Sequence, residues 1–399
     1  MIVAGRDIHL ERRLQIKRRT VFVVPIASVL AALVLGAIFL ALTGHPPLRV
    51  YQELFRSGFG NWYGFTDTLA AATPLVFTGL AAAFAFRMNL YNIGGEGQLY
   101  AGAIVAAWAG LAIAPGLPGP LAVTVVILGG AVGGALWVLI PALARAYFGA
   151  SEIVTTLLFN YVALYLMQYL IFGSGSYWRD PNSRSFPQGK PLPDVTHFPI
   201  LHFPTSSFFG IDFPPGLTRI HLGLAIGLGL AVLLFAVLRW TGFGFDMRVI
   251  GDSPSAARYA GIPMVRTILI VLLVSGALAG IAGAGEVGGR AYALDPNGLV
   301  LNLGYTGIVV AALARYNPFG VVLVSVLLGG LRTGAADLQS AAGDLRVPIA
   351  IAYMLEGAIL LVALGGEVFR TNRLVVRRVH TEVIGPDPVA EPAPEAAPA

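Results

Sequence analysis

Ten runs of apolar residues, each close to the length a lipid bilayer demands, constrain this chain more than any other feature. They fall at about 21–43, 69–87, 97–114, 120–144, 152–172, 220–239, 267–285, 304–316, 319–336 and 347–365. A helix crosses hydrocarbon in roughly 20 residues, and helices satisfy all their backbone hydrogen bonds within one segment. The expected fold is an all-α integral membrane protein of about ten transmembrane helices. Composition agrees: 12% of residues are charged, against about 25% in soluble domains. The 49 glycines suit close helix–helix approach in lipid. With no cysteine there is neither a disulfide framework nor a thiolate metal site.

The boundaries follow from these runs. Residues 1–20, with "RDIHLERRLQIKRR", form a basic N-terminal segment before an apolar run too long for a cleavable signal core. Residues 21–365 form the membrane domain, with a long external loop at 173–219 and a polar segment at 240–266 on the cytoplasmic side. An even span count puts both termini on one side. Most of the 26 Lys/Arg then lie on that side, which the positive-inside rule makes the cytoplasm. The expected protein is therefore multi-pass with both termini cytoplasmic. Residues 366–399 are a cytoplasmic tail, Pro/Ala-rich and disordered from about 385. "GLAAAFAFRMNLYNIGGEG" (79–97) and "GALAGIAGAGEVGG" (276–289) both run small residues into a Gly-Glu break, as two halves of an inverted internal repeat would.

Polar residues inside the apolar runs nominate a path. "NLYNIGGEGQL" carries Asn92, Glu96 and Gln98 among three glycines that favour a helix break. A carboxylate facing lipid is costly, so Glu96 faces a neighbour, a cavity or the interface. Glu152, Thr156, Asn160 and Gln168 are spaced by multiples of four and form one polar stripe on a helix. The stripe either lines a polar path or bonds neighbouring helices.

The chain has no phosphate-cradling G-x-x-x-x-G-K-[ST] loop, and its six histidines lack metal-ligand spacing. No residue is nominated as catalytic or metal-ligating. A proton- or Na⁺-driven carrier stays open, because Glu96, Glu152 and Glu356 could serve a coupling ion.

The polar stretch "FGFDMRVIGDSPSAARYAGIPM" (243–264) lies between two apolar runs. Ser253 is placed to cap a short helix, with Pro254 at its first position and Gly261 closing it. Ala256, Ala257 and Ala260 would give it a smooth face for another protein's groove. "MRVIGDSPSAARYAGI" resembles the cytoplasmic coupling-helix signature of ABC-importer permeases in the branched-chain amino acid/simple-sugar permease family. "YNIGGEGQLYAGA" resembles the Asn-Ile-Gly-x-Glu-Gly-Gln motif of its nucleoside/simple-sugar branch. "SEIVTTLLFNYVA" is similar to a further segment of that branch, with Val154 and Leu158 changed. "YTGIVVAALARYNPFGVV" (305–322) is similar to a late segment, with Ala314 in place of the usual glycine.

The resemblance implies a permease subunit of about ten membrane helices in the type II importer style, a translocation subunit without ATPase motifs of its own. It would pair with a second, homologous permease chain and a cytoplasmic ABC ATPase subunit that holds ATP and Mg²⁺. An external substrate-binding lipoprotein would deliver a nucleoside or, alternatively, a simple sugar, at a bacterial cell membrane. Asp252, Ser253, Ala256, Ala257, Arg258, Tyr259 and Gly261 would then couple to the ATPase. Asn92, Glu96, Gln98, Glu152, Thr156 and Asn160 would serve the substrate path.

Overall fold

The computed structural model describes residues 2–3, 6–12, 18–173, 175–183, 186–201, 218–341, 346–348 and 350–378. The chain forms two compact units, Met1–Val29 with Val362–Ala399, and Leu30–Leu361. In the first, strands β1 (Ile2–Val3), β2 (Arg6–Arg12) and β3 (Asn372–Arg378) form an antiparallel sheet in that order. The expectation of a wholly helical chain is corrected to that extent. Strand β3 pairs with β2 from Arg6 opposite Arg378 to Arg12 opposite Asn372. The expected disorder beyond 385 lies outside the described residues.

The second unit is helical. Helix α1 (Arg18–Leu42) enters it and α2 (Pro47–Phe59) follows at a bend of 118°. The Tyr51 hydroxyl donates to Leu33 O across the bend. Helix α3 (Trp62–Phe86) starts where Asn61 Oδ1 accepts from Gly64 N at 2.7 Å, an N-cap that satisfies an orphan donor. From Ala72 to Phe86 every residue of α3 is buried, so it is the central helix. Helices α4 (Gly95–Ala112), α5 (Gly119–Phe148) and α6 (Glu152–Phe172) come next. Helix α7 (Leu222–Trp240) leads into the pair α8 (Gly242–Asp252) and α9 (Pro254–Tyr259). Helix α10 (Met264–Glu286) ends in a π-helical turn, Val287–Ala291. The short α11 (Pro296–Leu299) and α12 (Leu303–Leu313) precede α13 (Pro318–Ser340) and α14 (Ala350–Thr371).

Seven helical segments of the described residues are long and apolar enough to span a bilayer, or up to eight if the bent α1–α2 pair is one span. Helices α4 and α14 occupy the places of the expected runs 97–114 and 347–365. The short α12 cannot cross alone; with α11 it makes one broken segment, Pro296–Leu313.

Small residues bring α4, α5 and α10 into backbone contact. A Cβ on Gly280 would lie 2.1 Å from Gly130 O and 2.9 Å from Gly134 N. No side chain fits there, which is how small residues let helices associate where lipid supplies no hydrophobic drive. The segments Arg87–Gly94 and α8 lie at one end, joined where Asn89 Nδ2 donates to Gly251 O. At the other end the described part of the 173–219 loop folds back. Trp178 Nε1 donates to Ile104 O, Leu192 N to Tyr292 O, and Phe198 N to Gly288 O.

Candidate functional site

Between α3 and α4 the chain leaves the helix, with Asn89 in the left-handed region at φ 55°. The freed backbone groups need partners at this depth, and the six nominated polar residues supply them. Asn92 Oδ1 accepts from Gly94 N and from Gln98 Nε2, and its amide nitrogen donates to Gln98 Oε1 and Ser275 Oγ. The stripe on α6 closes the other side. Glu152 Oε1 accepts from Tyr91 N, Thr156 Oγ1 from Ile93 N, and Asn160 Oδ1 from Gly97 N. Asn160 Nδ2 donates to Ile93 O and to the Tyr305 hydroxyl. Arg145 Nε holds the second Glu152 oxygen at 3.2 Å.

Glu96 sits in the first turn of α4, 2% exposed. It accepts from the Tyr100 hydroxyl and from Gly304 N, each at 2.5 Å. Gly304 is the second residue of α12, and a Cβ there would strike Glu96 N at 2.2 Å. The first turns of α4 and α12, which follow the broken segments 87–94 and 287–302, therefore meet through one carboxylate and one glycine. All six nominated residues are brought together, each buried and hydrogen-bonded.

None of the six lines the cavity that opens beside this knot. It has a volume of about 400 Å³ and lies at the end away from α8 and α9. Leu303, one residue before Glu96's partner Gly304, is part of its wall. The polar lining comprises Asp67, Arg219, His221, Arg290, Arg332 and Thr333, with Tyr292 and Tyr353 as ring walls. Each polar group is held in place. Arg219 meets Asp67 at 3.1 Å, Arg290 meets Glu286 at 3.3 Å, and Arg332 donates to Leu301 O and, at 2.6 Å, to Thr306 Oγ1. The Arg332 guanidinium lies 5.2 Å from the Tyr353 ring centre. The arrangement offers donors, one carboxylate acceptor and aromatic faces to a small polar molecule, at a volume within the roughly 300–1,000 Å³ of small-molecule sites.

Sequence reasoning missed these lining residues. Arg332 carried the usable signal, a charge inside an apolar run. His221 and Arg290 stood at span ends, where charges are ordinary.

At the opposite end, Thr241 Oγ1 accepts from Gly244 N to cap α8, and Ser253 Oγ accepts from Ala256 N to cap α9. Gly261 follows α9 at φ +73°. Ala256, Arg258, Tyr259 and Gly261 are exposed, with Tyr259 97% exposed, and Asp252 is exposed beside them. Ala257 differs from the expected face: it is fully buried and turned into the bundle. The eleven-residue α8, which the sequence reading did not separate from the loop, makes this end a pair of capped helices.

A helical bundle with two broken segments leading into helices that meet, a polar cavity at one end and a capped helix pair at the other is built as a membrane translocation subunit. The sequence model described as "Branched-chain amino acid transport system / permease component" matches residues 64–364, and the chain belongs to that family. It is 32% identical over 328 residues to the guanosine ABC transporter permease protein NupP of Bacillus subtilis, covering 82% of this chain and 89% of that protein. It is 31% identical over 320 residues to the nucleoside ABC transporter permease protein NupB of Lactococcus lactis, covering 79% and 84%. A glucose ABC transporter permease protein of Haloferax volcanii is 29% identical over 368 residues, covering 92% and 93%. The chain is a permease subunit of an ABC importer, a translocation subunit rather than an enzyme.

Proposed function

We propose that this permease carries nucleosides across the cell membrane. Support comes from relatives named for guanosine and nucleosides, and the observation that carries the reading is the cavity at the end away from α8 and α9. A nucleoside is neutral and offers hydroxyls, ring acceptors and a flat base. Arg332 and Arg290 present donors, Asp67 an acceptor, and Tyr292 and Tyr353 faces for stacking. Asn92, Glu96, Gln98, Glu152, Thr156 and Asn160 serve the path from beneath, by fixing where α4 and α12 meet.

In this reading both termini are cytoplasmic and the spans number ten, arranged as two inverted halves. A second, homologous permease completes the path, and an external binding lipoprotein delivers the substrate. ATP and Mg²⁺ act on the ATPase partner, which docks at Asp252, Ser253, Ala256, Arg258, Tyr259 and Gly261, with Ala257 holding α9 onto the bundle. Closure of the ATPases would move α8 and α9 together. Their attachment to α7 and α10 would pass that movement to the walls of the path.

The glucose permease relative supports a second reading in which the substrate is a sugar. Cells expressing the whole transporter should take up labelled guanosine or uridine in competition with other nucleosides, and Asp67→Asn should raise the KM. Uptake of glucose that nucleosides fail to compete with would overturn the nucleoside reading and leave the permease assignment in place.

A further inference from the structure

The cavity at the end away from α8 and α9 has one wall group that the proposed contacts leave unused, His221. It stands immediately before α7 and caps that helix with its own ring, Gly223 N donating to His221 Nδ1 at 3.1 Å. A ring nitrogen that accepts from a backbone N–H carries no proton, so the imidazole is neutral and its proton sits on Nε2. The cap thus fixes the tautomer and makes Nε2 a donor. Asn, Asp, Ser and Thr are the ordinary N-caps, and any of them would serve α7 with a shorter side chain.

The surroundings hold the ring in one orientation. His221 is 4% exposed and lines the cavity beside Gly289 and Arg290. A Cβ on Gly289 would lie 2.8 Å from Cε1 and Nδ1 of the ring and 2.9 Å from Nε2, so only a glycine lets the π-helical turn come this close. On the α7 side, a Cβ on Gly223 would lie 2.6 Å from Cε1. Phe198 meets the ring edge to face at 5.9 Å, and its own N–H is tied to Gly288 O. Three elements therefore clamp this imidazole, which is more than a helix cap requires. A donor of fixed direction suits one kind of partner. Ribose hydroxyls donate as well as accept and rotate to suit, so a fixed donor adds little selectivity for them, and Asp67 already offers them an acceptor. The ring nitrogens and carbonyl oxygens of a base are acceptors at fixed places in its plane.

We infer that His221 Nε2–H donates to an in-plane acceptor of the nucleobase, so that this wall of the cavity reads the base rather than the sugar. The role rests on the nucleoside reading above and adds which half of the molecule the wall recognises. A site built around such a donor rejects analogues that lack the matching acceptor, because the donor is then left buried without a partner.

The test pairs a substrate atom with a side chain. Cells expressing the whole transporter take up labelled guanosine against unlabelled guanosine, 7-deazaguanosine, which lacks N7, or 2-aminopurine riboside, which lacks O6. The parent should prefer guanosine to one of these analogues by about ten-fold, the upper end for one neutral hydrogen bond. His221→Asn keeps a side-chain acceptor for Gly223 N but withdraws the donor from the cavity. It should take guanosine about ten-fold more weakly and no longer tell that analogue from it. Discrimination by another subunit is common to parent and variant and cancels from the ratio. Gly289→Ala, which puts a methyl against the ring, should lose the same preference with His221 still in place. Equal competition by guanosine and both analogues in the parent would overturn the inference, and needs no variant to fold. A preference that survives in either variant overturns it as well, because the base is then read elsewhere. Competition by glucose and by no nucleoside is a different result: it overturns the nucleoside reading itself.

Discussion

Replacing Asn160 with alanine should loosen the bundle rather than blind it to substrate. The side chain makes three hydrogen bonds: from Gly97 N at 2.8 Å, to Ile93 O at 2.9 Å and to the Tyr305 hydroxyl at 3.1 Å. Hydrogen bonds between membrane helices are worth about 0.6 kcal/mol each on average, so the three together contribute roughly 2 kcal/mol. One of them is special. Gly97 is the third residue of α4 and its N–H has no partner within the helix. A buried orphan of that kind costs about 1–3 kcal/mol, which places Asn160→Ala at about 3 kcal/mol. Tyr305→Phe removes only one of the three bonds and should cost about 0.6 kcal/mol. Unfolding titrations in SDS on the purified variants give this order directly. Uptake at a temperature where both remain folded should show an unchanged KM. A raised KM for Asn160→Ala with unaltered unfolding would refute the reasoning and make Asn160 a substrate contact.

Three other perturbations separate packing from function. Gly280→Val should prevent assembly of the α5–α10 interface, because its Cβ would lie 2.1 Å from Gly130 O, a backbone atom with no room to yield; size-exclusion chromatography should then find aggregate in place of a monodisperse peak. Ala256→Trp and Tyr259→Ala, at exposed positions on α9, should uncouple ATP hydrolysis from transport with stability kept, whereas Ala257→Trp, at a fully buried position, should lower stability by about 1–3 kcal/mol from overpacking. Arg332→Met loses the bonds to Leu301 O and Thr306 Oγ1 at the cavity wall and should raise the KM for uptake about ten-fold, one factor of ten being about 1.4 kcal/mol; an unchanged KM would remove the cavity from the substrate path.

The sequence by itself determined the class of fold, because apolar length is a local quantity and the bilayer fixes what it must be. It also determined the caps of α9, since Ser253, Pro254 and Gly261 act through bonds a few residues away. The motif around Asn92 and Glu96 and the stripe of Glu152, Thr156 and Asn160 were legible as polar groups that need company inside an apolar bundle. Which company they keep was decided only by the tertiary structure. Gly304 lies 208 residues from Glu96 along the chain, and no periodicity within either segment encodes that meeting. The inward turn of Ala257 likewise depends on how α9 docks on the bundle. The cavity at the end away from α8 and α9 was the least legible, because Asp67, Arg219, Arg290 and Arg332 come from four distant stretches. Each charge alone has an ordinary local explanation, and their convergence is set by helices packing through glycine contacts that the one-dimensional pattern does not specify.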